Sequence, residues 1–282
     1  MAEDKSEQFD EIGYWSEIKL EILKQYAPAY TKIMSKQTFL KGFYYIDGFA
    51  GYGIHKSKTR EELIQGSPSN ALATEPQFSG HYWIDLDGKK TDFLRERAKG
   101  NHTVNIYQGD CNDILLKQIF PTIQFNNYKR ALCLLDPYGL HLKWDVILAA
   151  GQSKAIEIFL NFPVMDMNMN VLWNNPEKVD PAQSQRMTSF WGDESWKSAV
   201  YKKTRGLFDT IEEKSANSNE EIAQAFNRRL KEVAGFEYVA HPMPMRNTKG
   251  AVVYYLFFAS PNKTGHKIVQ DIMDKYRNKG IV

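Results

Sequence analysis

Four carboxylates and an amide in this 282-residue chain each stand at the end of a short apolar run, where a ligand could reach them. Asp47 follows Phe43 to Ile46, and Asp85 follows His81 to Ile84. Asp110 closes Val104 to Tyr107 in a Gly-Asp-Cys-Asn turn, Asp136 follows Ala131 to Leu135, and Asn161 follows Ile156 to Leu160. Short apolar runs bounded by turn residues read as buried strands. A carboxylate only accepts hydrogen bonds when ionised, and it attracts cations, so such a row suits a ligand carrying positive charge, amines or hydroxyls. Two of the five are elaborated. Behind Asp47 come Gly48, Phe49, Gly51 and Gly53, and glycine lets the chain turn sharply and lets backbone N–H groups approach a ligand. Behind Asp136 come Pro137, Tyr138 and Gly139, which place a carbonyl and an aromatic ring beside the carboxylate.

The spelling of the glycine run excludes some ligands. A dinucleotide turn is G-x-G-x-x-G leading into a helix. Here Gly51-Tyr52-Gly53 is followed by Ile54-His55-Lys56, without the third glycine, and no Walker G-K-[ST] occurs. S-adenosylmethionine, with its sulfonium and amino group, fits the run. Asp47 with Gly48, Phe49, Gly51 and Gly53 would hold its methionine end. Asp85 would accept the ribose hydroxyls, the role an acidic residue plays in dinucleotide folds. Asp110 would accept from the adenine amine with Cys111 beside the ring, or cap the next helix. Asp87 reads as a cap.

Asp136-Pro137-Tyr138 is the candidate catalytic group. Amino-directed methyltransferases carry an Asp/Asn-Pro-Pro-Tyr/Phe tetrapeptide in which the polar side chain and a carbonyl accept from the target amine while the ring stacks on the extruded base. Positioning of that nitrogen supplies much of the rate. This chain has one proline rather than two, which opens the choice of target. His141 stands where it could help proton transfer. The six histidines show no metal-ligand spacing, and Cys111 and Cys133, with no base nearby in sequence, read as buried thiols.

The elements that must place these groups alternate strand and helix, which implies parallel crossovers and a sheet covered on both faces. In such sheets ligands bind beyond the carboxyl ends of the strands, so Asp47, Asp85, Asp110, Asp136 and Asn161 should share one rim. Tyr14 to Met34 has helical periodicity, with Pro28 a kink or break. Residues 54–66 read as a loop, and Ser67 as the N-cap of the helix that follows, with Pro68 in its first turn. Residues 164–220, with a methionine cluster and Trp173, Trp191 and Trp196, read as a helical insertion that forms a lid or substrate region. A helix over 221–233, strands over 236–240 and 251–259, a loop over 246–250 and a helix over 265–276 complete the chain. Residues 1–13 are expected to be disordered, and 14–282 to form one domain: α/β, Rossmann-like, with a mostly parallel sheet and an antiparallel C-terminal strand.

Composition sets outer bounds. Hydrophobic residues make up 43% and aromatics 13%, enough for a core, and no run approaches the ~20 apolar residues of a membrane span. The polar start has no signal-peptide core, and two cysteines allow neither a disulfide framework nor a cysteine-rich metal site. A cytoplasmic protein is expected. The net charge of +2 does not argue for a strongly electrostatic nucleic-acid binder and does not exclude one.

Taken together, Tyr44-Tyr-Ile-Asp-Gly-Phe-Ala-Gly51, Gly66-Ser-Pro68, Gly109-Asp-Cys-Asn112 and Leu134-Leu-Asp-Pro-Tyr-Gly-Leu140 resemble the three-Cys-motif partner proteins, TcmP. So do Arg186-Met187, Phe190-Trp-Gly-Asp193, Pro244-Met-Arg-Asn247 and Tyr254-Tyr-Leu-Phe-Phe-Ala-Ser260. The resemblance extends from about Tyr14 onward. It implies a methyltransferase-like Rossmann fold encoded near a protein with a three-cysteine, radical-chemistry motif. Three functions follow as expectations: an S-adenosylmethionine-dependent methyltransferase on a nucleic-acid amine, a methyltransferase on a protein or small molecule, or a binding module for the three-cysteine protein.

Overall fold

A computed structural model of the chain describes residues 9–205, 210–247 and 249–277. In chain order the first half contains β1 (Glu11–Ile12), α1 (Tyr14–Met34), β2 (Gly42–Asp47), β3 (Ile54–Ser57), β4 (Leu63–Gln65), α2 (Ser67–Leu72), β5 (Gly80–Asp85), α3 (Gly88–Arg97), β6 (Val104–Gln108) and α4 (Cys111–Ile114). The second half contains β7 (Lys129–Leu135), α5 (Trp144–Gln152), β8 (Ile156–Phe162), α6 (Val164–Asn170), α7 (Pro181–Trp191), α8 (Trp196–Val200), β9 (Tyr201–Arg205), β10 (Thr210–Lys214), α9 (Ser218–Glu232), β11 (Tyr238–Val239), β12 (Met243–Arg246), β13 (Val252–Ser260) and α10 (Lys263–Arg277).

The main sheet runs β11-β13-β8-β7-β2-β5-β6, with β12 also on β13. Strands β2, β5, β6, β7 and β8 are parallel, and β13 enters antiparallel beside β8. The chain builds outward from β2 through β5 to β6, then crosses back to lay β7 on the other side of β2. That reversal is a topological switch point, and in such sheets ligands bind beyond the carboxyl ends of the strands beside it, here β2 and β7. Register brings the ends level: Asp47 pairs with Trp83 of β5 and Leu134 of β7.

Side chains alternate between faces along each strand. In β7, Ala131, Cys133 and Leu135 join one core, with Trp144, Phe162, Phe190, Trp191 and Phe226. Leu132 and Leu134 join the other, with Tyr26, Tyr30, Phe78, Phe159 and Phe258 beneath α1 and α10. Apolar burial on both faces accounts for the near-continuous hydrophobic runs of β7 and β8. Among the described residues no helix is long and apolar enough to cross a membrane.

Several local expectations are corrected. Helix α1 continues through Pro28, whose carbonyl accepts from Thr31 Oγ1 (3.3 Å); proline removes one N–H, and tertiary packing of the apolar stripe outweighs it. Residues 54–66 are no loop, because β3 and β4 form an antiparallel hairpin. Of the stretch expected to be disordered, residues 1–8 lie outside the described residues. Glu11–Ile12 instead pairs parallel with β3, Phe9 packs edge-on against Tyr52 and Phe93, and Asp10 pairs with Lys90 at 2.8 Å. The cap of α2 is Gly66, and Ser67 is the first helical residue. The 164–220 stretch carries the antiparallel pair β9–β10 besides its helices, and β12 stands where sequence left a connection before the 246–250 loop.

Candidate functional site at the carboxyl ends of the strands

Asp136, one residue past β7, is the centre of the rim. Its Oδ2 is paired with the Nζ of Lys19, and its Oδ1 accepts from Asn161 Nδ2 at 2.8 Å. Lys19 reaches it from α1, where its side chain is 9% exposed, against 29% for Asp136. The ammonium also lies 5.5 Å from the ring centroid of Tyr254. Burial works against the charge of Lys19, but Asp136, Tyr254 and Asp47 outweigh it, and the group titrates above the ordinary lysine value. A carboxylate offers about four acceptor positions, so two bonds orient Asp136 and leave it able to accept more.

The rest of the turn follows the sequence expectation in placement. Pro137 is buried, and Tyr138 projects with 75% of its surface exposed. Gly139 adopts φ +56°, and a Cβ there would sit 2.9 Å from Asp166 Oδ2, so both backbone and space require glycine. The ring of His141 gains no proton-transfer role from its position: the side chain is exposed, and its carbonyl accepts from Asn112 Nδ2 at 2.9 Å.

Asp47 does not face a ligand. It is fully buried, and its carboxylate accepts from Ser67 Oγ (2.6 Å), Tyr45 Oη (3.0 Å) and the Phe49 N–H (3.2 Å). Burial pushes its pKa up to about 6 although these three bonds pull it down. Ser67, expected as a helix cap, thus ties α2 to the end of β2. The glycine loop likewise turns its N–H groups inward. Gly48 donates to Leu134 O (2.9 Å), Ala50 to Ile84 O (2.9 Å), Gly51 to Asp85 Oδ2 (2.8 Å) and Gly53 to Ala50 O (3.3 Å). The positive φ of Gly51 (+60°) and Gly53 (+67°) makes this compact turn possible. Asp47, Gly48, Phe49, Gly51 and Gly53 thus brace the end of β2 through bonds within the protein.

Asp85 stands where expected, half-buried at the end of β5. One oxygen accepts from Gly51 N and the other from Asp87 N (2.9 Å), which fixes the carboxylate with acceptor positions remaining. Asp87 caps α3 through Lys89 N at 2.8 Å. Asp110 takes the capping alternative: its Oδ1 accepts from both the N–H (2.7 Å) and the Nδ2 (2.8 Å) of Asn112. Cys111 is buried, and burial with Asp110 and Asp85 nearby pushes its thiol to about 12. Asn112 ties the β6 turn to the Asp136 loop, since its Oδ1 accepts from Lys143 N at 2.7 Å. Leu86, next to Asp85, is as exposed as Tyr138 at 75%; these two exceed every other large apolar side chain among the described residues, and both stand on this rim. Lys90, held by Asp10, lies within electrostatic reach of Asp85 and Tyr138.

Lys19, Asn112 and Asp166 were not singled out from sequence, and Asn161 had no assigned role. One signal for Lys19 was available: it falls in the stripe Lys19, Leu23, Tyr26, Tyr30 that α1 buries, where a lysine needs a partner.

No protein-family model matches the chain, and no curated protein does. Among solved structures, a Legionella pneumophila protein assigned to family-model DUF519 superposes over 93% of both chains with TM-score 0.50 and 12% identity. A Thermobifida fusca protein described as a methyltransferase aligns over 85% of this chain and 80% of its own, with TM-score 0.42 and 12% identity. A Listeria monocytogenes protein described as an S-adenosylmethionine-dependent methyltransferase covers 84% and 99%, with TM-score 0.41 and 13% identity. The fold is Rossmann-like, a mostly parallel sheet with β13 antiparallel, and it is shared with the Legionella protein.

Proposed function

We propose that this chain is an S-adenosylmethionine-dependent methyltransferase acting on an amine. One observation carries the reading: Asp136, oriented by Lys19 and Asn161, sits beside the most exposed aromatic ring of the rim, Tyr138, with Asp85 at the end of the strand on the other side of β2. The residues fit the adenosine half of the cofactor better than its methionine half. Asp85 would accept the ribose hydroxyls, and Leu86 and Cys111 would flank the adenine, while Asp47 supports the loop from behind. S-adenosylmethionine, when bound, supplies a methyl group on an electron-poor sulfur.

The protein's share is alignment. Asp136 and the Pro137 carbonyl accept N–H bonds from the amine and turn its lone pair toward the methyl, and Tyr138 stacks on the group that bears it. Methylation of that nitrogen would release one of its protons, which the Asp136 carboxylate, already accepting from the amine, would take and pass to solvent. A nucleic-acid base is the acceptor that a stacking ring suits best.

A second reading is favoured by one feature: Asp47, Asp110 and the glycine-loop N–H groups are all bonded within the protein. That arrangement would also serve a binding module for a three-cysteine-motif protein. Calorimetric titration with S-adenosylmethionine and S-adenosylhomocysteine separates the two. Heat with both ligands in the wild type, lost in Asp85→Ala, supports the enzyme; no heat with either moves the assignment to the module.

A further inference from the structure

We propose a second ligand site, for a nucleotide, in a cavity at the opposite end of the sheet from Asp136. The cavity has a volume of about 760 Å³, within the range of small-molecule sites. It lies between the C-terminal end of α1, the loop at 124–126, the amino-terminal ends of β7 and β8, and the start of α10. Nothing in the methyl-transfer reading uses it.

Its floor holds a donor without a partner. Tyr30 is 2% exposed, and its hydroxyl makes no hydrogen bond among the described residues. The nearby Glu157 accepts from the hydroxyls of Tyr26 and Ser260, one on each oxygen, and makes no bond to Tyr30. Burial and the proximity of Glu157 hold the Tyr30 phenol well above its ordinary pKa, so it stays a donor. A buried hydroxyl with no bond is unfavourable, and an acceptor on a ligand would satisfy it.

The walls supply the two other things a nucleotide needs. Phe39 and Phe125 line the cavity and are 56% and 53% exposed, which leaves aromatic surface that a base could cover. The Arg130 guanidinium lies 4.3 Å from the centroid of Phe125 and makes both of its backbone bonds through Nη1, to Lys129 O (2.8 Å) and Phe125 O (3.4 Å). Its other nitrogens can meet a phosphate. Lys154 and Lys263 add positive charge to the walls, while the acids there are Glu157, on the floor, and Glu237. Aromatic faces interleaved with cations are how proteins hold unpaired nucleotides. A free mononucleotide and a nucleotide within a single strand present the same base and phosphate.

The test is fluorescence anisotropy with a labelled single-stranded RNA of about ten nucleotides, with adenosine monophosphate as competitor. The variants are Phe39→Ala, Arg130→Gln and Tyr30→Phe; Phe39 is a surface residue, and Tyr30→Phe keeps the packed ring. Phe39→Ala should weaken binding about tenfold, and Arg130→Gln should reduce the salt dependence by about one phosphate contact. Tyr30→Phe should weaken binding without lowering the melting temperature, since it removes a buried hydroxyl that has no bond. Displacement by the monophosphate assigns the site to free nucleotide; RNA binding with the same variant losses but no displacement assigns it to a strand. The proposal is overturned if neither probe binds, if all three variants bind like wild type, or if S-adenosylhomocysteine displaces the RNA. That last result would place the binding at the cofactor crevice, independently of whether methyl transfer occurs.

Discussion

Asp136→Asn, Lys19→Met and the double variant, unfolded in urea side by side, form a cycle whose asymmetry follows from burial. Lys19 is the deeper partner, with 9% of its side chain exposed against 29% for Asp136. Asparagine at 136 keeps a polar group for Asn161 but leaves the ammonium with only the Tyr254 ring, 5.5 Å away. Breaking a buried pair by removing one partner costs ~3–5 kcal/mol, and partial water access to this pair argues for about 3. Lys19→Met leaves a carboxylate that still accepts from Asn161 and reaches solvent, so the loss should be smaller, about 1–2 kcal/mol. The double variant buries neither charge and should lie near the milder single, a coupling of about 2–3 kcal/mol. The asparagine carbonyl of the double variant can still accept from an amine, so the cycle reads the stability of the pair and not the loss of an acceptor. Additive single losses, or a Lys19→Met protein less stable than Asp136→Asn, would refute the reading of Lys19 as the dependent, buried partner.

Glu157 gives a pH test. Burial raises it from 4.5 to about 7, against the pull of bonds from Tyr26 and Ser260. The folded chain then holds a proton that the unfolded chain has released, so stability falls as pH rises from about 4.5 through 7, by up to ~3 kcal/mol. Urea midpoints across that window should fall less steeply in Glu157→Gln than in wild type; equal slopes refute the assignment. Tyr138→Ala should change stability by no more than ~0.5 kcal/mol, given the exposure of the ring, and leave cofactor heat intact while lowering methyl transfer from radiolabelled cofactor to RNA. Cys111, pushed to about 12, and Cys133, held well above its ordinary value by burial, should not react with Ellman's reagent at neutral pH until the protein is denatured.

The sheet was legible because its signals are local. Five apolar runs, each ending in a polar residue, fix strand identity, and the parallel-crossover rule fixes which ends share a rim, so Asp85 and Asp136 could be placed without coordinates. What sequence could not decide is the direction in which a polar group at such an end spends its bonds. Asp47 and Asp85 look alike in sequence, each following an aromatic-rich strand. One is sealed by Tyr45, Ser67 and Phe49, whereas the other keeps an open side. That difference arises because Ser67 enters from twenty residues further along the chain, a contact no spacing rule reports. The same limit hid Lys19, whose partner lies 117 residues away. Its helix announces a buried stripe, and a lysine inside that stripe demands an anion, but the pattern cannot name which one. Only the fold, by laying α1 across the end of β7, turns that unmet demand into Asp136, and so joins the best candidate for chemistry to a lysine that the helix buries.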